Sequence, residues 1–82
     1  MALSGEKAVT LTGIVIPADW NDRQELIAAA LATADEREYR IDLNRKGKEL
    51  LDYLQHQVEA TGALGRDEKG RDVITVKRYI VK

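Results

Sequence analysis

The stretch Val9-Thr10-Leu11-Thr12-Gly13-Ile14-Val15-Ile16 is rich in β-branched residues and alternates between two kinds of face. Its odd-numbered positions are apolar or glycine and its first even-numbered positions are threonine, which is the pattern of a half-buried strand. A second stretch, Val58-Glu59-Ala60-Thr61-Gly62, resembles the first five of these residues, Val9 to Gly13, and like them ends in threonine and glycine. Glycine inside a strand marks a bulge or a sharp bend. The two stretches therefore predict two strands that curl, as the strands of a small closed barrel must.

Further along the chain, periodicity predicts the other elements. Pro17 is expected to end the first strand, because proline lacks the backbone donor that a sheet uses. The polar residues that follow, up to residue 24, are typical of a loop. Residues 38–43 alternate strictly and predict a strand with one face in water.

Asn44 is suited to cap the next element, in which apolar residues recur at helical spacing over residues 45–57. Gly47 in this helix would let it pack closely against its neighbour. Two more strands are predicted over residues 58–64 and 72–81, joined by a charged loop over residues 65–71.

Residues 25–34 fit two structures. Their alanines and leucines have high helix propensity, and Asp22 and Glu25 stand at capping-box spacing. Ile27, Ala29 and Leu31 alternate after a loop of hairpin length, which favours a strand. Periodicity alone leaves both structures open.

Four motifs carry a resemblance to a known family. They are Leu11-Thr12-Gly13-Ile14-Val15-Ile16-Pro17-Ala18-Asp19-Trp20, Lys46-Gly47-Lys48-Glu49-Leu50-Leu51, Val58-Glu59-Ala60-Thr61-Gly62 and Ile74-Thr75-Val76-Lys77. In these motifs the chain resembles small bacterial OB-fold proteins, oligonucleotide- and oligosaccharide-binding-like domains of uncharacterised function. The resemblance implies an all-β fold with one helix, a five-stranded barrel in the order β-β-β-α-β-β. It also implies a strand over residues 25–34.

Composition limits the classes of protein to consider. The chain has 82 residues, enough for one domain, and we expect a disordered segment over residues 1–8 and a single OB-fold domain over residues 9–82. Its 13 basic and 14 acidic residues give a net charge of -1, without the basic excess of duplex-DNA binders. It has no cysteine, no secretory signal and no long apolar run, so we expect a cytoplasmic protein with no membrane partner.

The resemblance implies a binding site on the face of the second and third strands and on the loops over residues 17–25 and 65–71. The candidate ligand-binding residues there are Trp20, Arg23, Arg40, Arg66, Lys69 and Arg71. Trp20 fits two interpretations: a lid folded over one end of the barrel, which is favoured, or an exposed anchor for a ligand. The outward positions of the second strand are Ala28, Ala30 and Ala32, so that strand offers no aromatic side chain for stacking.

No catalytic constellation is found. His56 is the only histidine, and we expect it near the helix end, where it meets the negative end of the dipole. Tyr39, Tyr53 and Tyr79 fit core or rim packing. The sequence has no metal-ligand set and no phosphate loop, so we predict no cofactor, no metal and no enzyme activity.

Two functions remain open at this point. One is weak binding of single-stranded nucleic acid through Trp20 and the loop cations. The other is protein interaction or self-association through the alanine surface or a strand edge, as a monomer or weak homodimer.

Overall fold

The computed structural model describes residues 7–82. Five strands, one short α-helix and one 3-10 helix follow each other along the chain. They are β1 (Lys7–Trp20), β2 (Leu26–Thr33), β3 (Glu38–Ile41), α1 (Arg45–Glu49), the 3-10 helix (Leu50–Tyr53), β4 (Gln57–Arg66) and β5 (Asp72–Val81).

The strands close into a barrel in the order β1-β2-β3-β5-β4, with β4 returning to β1. All neighbouring strands are antiparallel except β3 and β5, which pair in parallel through Arg40 with Val73 and Ile41 with Ile74. The predicted fold class, a closed five-stranded barrel in the order β-β-β-α-β-β, is confirmed. β2 (Leu26–Thr33) lies within residues 25–34, which confirms the strand there.

The barrel encloses an aliphatic core with one tyrosine. Val15, Leu31, Leu50, Val58 and Ile74 are fully buried, one from each of four strands and one from the 3-10 helix. Tyr39 is also buried, as expected, and Tyr53 and Tyr79 pack against the core from its edge. Because the chain has no phenylalanine, branched aliphatic side chains fill the interior.

Gly62 of β4 lies in close contact with the backbone of β5. A Cβ atom at this position would collide with the backbone carbonyl of Thr75 and lie 3.0 Å from Cα of Val76. The register shifts here, since Thr61 faces Arg78 whereas Gly62 faces Val76, and Lys77 is the extra residue of a bulge. The expectation that this glycine marks a bulge is confirmed.

Pro17 does not end β1, and this prediction is wrong. The strand continues to Trp20, and Pro17 faces Ala29 of β2. The backbone N–H of Val15 points towards β4 and donates to the carbonyl of His56. Pro17, two residues later, turns its nitrogen to the same side, but the pairing of β1 with β4 has already ended at Ile14. Proline is tolerated there because no ladder bond is lost.

The helix predicted over residues 45–57 is also wrong in length. The α-helix spans only Arg45–Glu49, and the 3-10 helix carries the chain to Tyr53. Gln55 then adopts a φ of 69° and donates its N–H to the carbonyl of Val15, which turns the chain into β4. His56 therefore follows a turn and does not lie at a helix end.

The start of the helix agrees with expectation. The side chain of Asn44 accepts a hydrogen bond from the N–H of Gly47 at 2.9 Å and donates one to the carbonyl of Val76 at 3.1 Å. A side chain on Gly47 would collide with the carbonyl of Asp42, so glycine is needed for this close packing. Most of the segment predicted as disordered lies outside the described residues, while Lys7 and Ala8 are the first residues of β1.

Candidate functional site

A groove runs over the outer face of β1, β2 and β3. Ile16 and Arg40 both pair with Ala30, from the two neighbouring strands. Ala30 is only 2% exposed, since these larger neighbours stand on either side of it. Of the outward alanines of β2, Ala30 therefore forms part of the floor of a groove.

The groove has a volume of about 430 Å³, within the range of about 300–1,000 Å³ typical of ligand sites. Its apolar wall comes from β1, where Ala18 is an extra residue that shifts the register between Pro17 and Asp19. Its polar groups are Glu38 and Arg40 from β3 and Arg71 from the loop between β4 and β5. We call it the front groove.

Arg71 is held in place by Asp67 at the other end of its loop. Its Nε donates to Oδ2 of Asp67 at 2.8 Å, and its backbone N–H donates to Oδ1 at 2.9 Å. These bonds, first of all the backbone bond from Arg71, lower the pKa of Asp67 below its usual value. Arg40, in contrast, has no ion-pair partner among residues 7–82.

A second groove of about 260 Å³ lies on the other side of β3, over β5 and β4. Its floor includes Gly65 and Val73, which face each other across the two strands. Asp42, Arg66 and Asp67 supply its charged groups. We call it the rear groove.

The structure divides the predicted site residues among several places. Arg40 and Arg71 line the front groove, and Arg66 lines the rear groove, where its Nε lies 3.6 Å from Asp72. The remaining three, Trp20, Arg23 and Lys69, line neither groove and are exposed at the ends of their hairpins.

Trp20 is 52% exposed, so the favoured interpretation of this side chain as a lid over the barrel is wrong. It pairs with Leu26 at the end of the hairpin of β1 and β2, beyond the register shift that separates Asp19 from Trp20. This leaves the indole accessible to a partner.

Sequence reasoning placed Pro17 and Ala18 in a binding loop over residues 17–25 but missed that they form, with Ile16, a β1 wall of the front groove. Ile16, Pro17 and Ala18 were assigned to a strand end and a loop, because proline was taken to stop the strand. The alternation of Ile14, Ile16 and Ala18 along β1 was the signal that could have found them. Asp42, one of the two aspartates that line the rear groove, was also missed, because no sequence pattern connects it with Gly65.

A polar cluster lies beside α1. The hydroxyl of Tyr79 donates to Oε1 of Glu49 at 2.8 Å, and Lys46 lies 3.7 Å from the same carboxylate. The hydrogen bond to Glu49, followed by burial, raises the pKa of Tyr79 to about 12. Tyr53 contacts both Tyr79 and His56 through its ring. The cluster attaches the helix to the end of β5.

Comparison with protein-family models, curated proteins and solved structures finds no match to this chain. Within residues 7–82, no group of three acidic or histidine side chains is arranged to hold a metal ion. No helix in the described part of the chain is long and apolar enough to cross a membrane.

Proposed function

We propose that this chain is a non-enzymatic binding module of the OB type that binds single-stranded nucleic acid weakly in the front groove. The observation that carries the proposal is Arg40, which has no ion-pair partner within residues 7–82, beside a floor of small apolar residues and with Arg71 in the same groove. A guanidinium contacts phosphate well, and a shallow apolar floor suits the faces of sugars and bases.

The exposed Trp20 adds a stacking surface to the same ligand, since a base stacked on an aromatic side chain gains about 1–3 kcal/mol. Glu38 in the groove and the net charge of -1 oppose a polyanion, so the binding is weak and sensitive to salt. The expected dissociation constant at low salt is about 10⁻⁴ M.

The test is a titration with short single-stranded DNA and RNA at low salt, followed by Trp20 fluorescence and amide chemical shifts. Trp20 is the only tryptophan, so its fluorescence reports this hairpin alone. Amide chemical-shift changes are expected in β1 to β3, in the loop between β1 and β2 and in the loop between β4 and β5. Arg40→Gln is expected to weaken binding by about five-fold and to reduce its salt dependence.

The matched control is Arg78→Gln. Arg78 is exposed on β5 opposite Thr61, outside both grooves, and its substitution changes the net charge equally. Equal loss of affinity in the two variants would show a general attraction of cations for a polyanion. That result, or no response at near-millimolar ligand, would contradict the proposal.

A second candidate, interaction with a protein or with another copy of this chain, is favoured by the apolar end of the first hairpin. Trp20 and Ile27 are 52% and 43% exposed there. Large exposed apolar side chains that lie close together are typical of interaction sites. Sedimentation of the wild type and of Ile27→Lys tests it, with concentration-dependent association expected in the wild type alone.

A further inference from the structure

The front and rear grooves lie on either side of β3 and share its outer face. Arg40 pairs with Ala30 in the floor of the front groove and with Val73 in the floor of the rear groove. Asp42, two residues further, lines the rear groove. The two grooves are therefore separated only by the width of one strand.

The loop between β4 and β5 also belongs to both grooves. Arg71 lines the front groove and Asp67 the rear groove, and the two side chains are joined by a hydrogen bond of 2.8 Å. The rear groove, at about 260 Å³, is below the usual range for an independent ligand site. Its size and position suit one further unit of a ligand that already occupies the front groove.

We propose that the two grooves form one continuous track, in which a single-stranded nucleic acid crosses β3 at Arg40 and places a further nucleotide in the rear groove. The inference rests on the proposed function. The phosphate at the crossing meets Arg40, which forms no salt bridge among residues 7–82, whereas the other two groove cations, Arg66 and Arg71, pair with Asp72 and Asp67. This contact puts the negative charge of the ligand between the two grooves.

The charged side chains of the rear groove indicate which chemical groups of a ligand it can bind. Asp42 is exposed and accepts hydrogen bonds only, so it suits the amino group of a base or a ribose hydroxyl. Arg66 extends the cationic path to the next phosphate. The floor at Gly65 and Val73 has no large side chain, so a base can approach the sheet directly.

Gly65 provides the means to block the rear groove alone. A Cβ atom there would have no heavy atom within 4 Å, and the residue has no positive φ, so a larger side chain enters the groove without disturbing the strand. The experiment compares wild type with Gly65→Leu and with Asp42→Asn, using a cytidine dinucleotide and a cytidine hexanucleotide. A urea midpoint for each variant checks that the barrel is intact.

Wild type is expected to bind the hexanucleotide at least about five-fold more tightly than the dinucleotide, beyond the statistical gain from added binding registers. Gly65→Leu is expected to abolish this preference and leave the affinity for the dinucleotide unchanged. Asp42→Asn is expected to reduce the preference in part, because the amide keeps an acceptor oxygen but loses the charge.

Three results would overturn the track. They are a hexanucleotide that binds no more tightly than a dinucleotide, a Gly65→Leu variant that keeps the preference, or one that weakens both ligands equally. Each of these leaves dinucleotide binding in the front groove intact as an observation. Absence of binding by either ligand contradicts the proposed function itself, and the track with it.

Discussion

At the scale of single residues, Tyr79 provides a test by pH. Its hydrogen bond to Glu49 raises its pKa from 10.0 to about 12. Since the folded-state pKa lies above the unfolded one, the stabilisation is complete below pH 10 and is lost as the pH rises through 12. Tyr79→Phe is expected to lower the free energy of unfolding by about 1 kcal/mol at neutral pH and to flatten this alkaline decline. Urea unfolding at neutral pH measures the loss of stability, and urea unfolding between pH 10 and pH 12 measures the alkaline decline.

Tyr53→Phe is the control for this prediction. The hydroxyl of Tyr53 makes no hydrogen bond among the described residues, although its ring packs against that of Tyr79. Its removal should change the alkaline decline less than Tyr79→Phe does, because Tyr53 raises the pKa of Tyr79 less than the hydrogen bond to Glu49 does. A Tyr79→Phe variant with an unchanged decline would show that the bond to Glu49 does not contribute.

Gly62 is the second residue whose role can be measured. Gly62→Val is expected to lower the free energy of unfolding by about 1–3 kcal/mol, because the new side chain meets the carbonyl of Thr75 at the bulge. Gly65→Val, three residues along the same strand, should cost far less, since the space beside it is open. Equal midpoints in urea for the two variants would remove the packing argument at Gly62.

At the scale of elements, the three hairpin loops share one geometry. In each, the first residue donates its N–H to the carbonyl of the fifth, and the fourth donates to the carbonyl of the first. The fourth residue has a positive φ, 66° at Gln24, 66° at Glu36 and 79° at Gly70. This is the three-residue hairpin loop in which a left-handed residue follows a turn.

The shared geometry of these loops predicts that two substitutions change the stability of the protein in opposite directions. Gly70→Ala should destabilise the protein by about 1 kcal/mol, because a Cβ atom disfavours the left-handed conformation. Gln24→Gly should stabilise it by a few tenths of a kcal/mol, since relief of the same strain is partly offset by the larger entropy of glycine in the unfolded chain. Thermal unfolding of the two variants checks this, and the same direction of change in both would contradict it.

The sequence was sufficient for those elements in which periodicity and burial agree. Strands with alternating faces were predicted near their observed positions, and Gly47 and Asn44 were given their roles correctly. The end of the helix was not predictable, because the spacing of Leu50, Leu51 and Leu54 suits a 3-10 turn as well as an α-helix. Just beyond the 3-10 helix, Leu54 leaves the helical conformation and Gln55 donates its N–H to the carbonyl of Val15, and no local pattern contains that long-range contact.

The candidate site was predicted only in part, for a similar reason. Arg40 could be placed on an outer face by alternation, but the pairing of Arg71 with Asp67 requires the loop geometry. The exposure of Trp20 depends on two register shifts in the hairpin of β1 and β2. Such shifts change the direction of a side chain and leave no mark in hydrophobic periodicity.

At the scale of the whole molecule, the two similar stretches that predict the barrel pair with each other. Val9 faces Gly62, Gly13 faces Val58, and the hydroxyls of Thr10 and Thr61 lie 3.0 Å apart. β1 and β4 are thus related by an approximate two-fold axis, and each continues into a hairpin of the same loop geometry. The two grooves lie on these related hairpins, and β3 is inserted between them.

The pairing of β3 with β5 is the shortest strand pairing of the barrel, since only Arg40 and Ile41 of β3 take part in it. We call this pairing the seam. We expect this seam to open before the rest of the molecule unfolds. The amide of Asp42, which donates to Ile74 at 2.9 Å, should exchange with solvent at least about ten-fold faster than the amide of Val15, which donates to His56 across β1 and β4. Hydrogen exchange followed by NMR measures both amides under the same conditions, after correction for their intrinsic rates. Because a ligand that crosses β3 would hold the seam closed, a bound hexanucleotide should slow exchange at Asp42 more than at Val15. Equal protection of the two amides in the free protein would show instead that the barrel opens only as a unit.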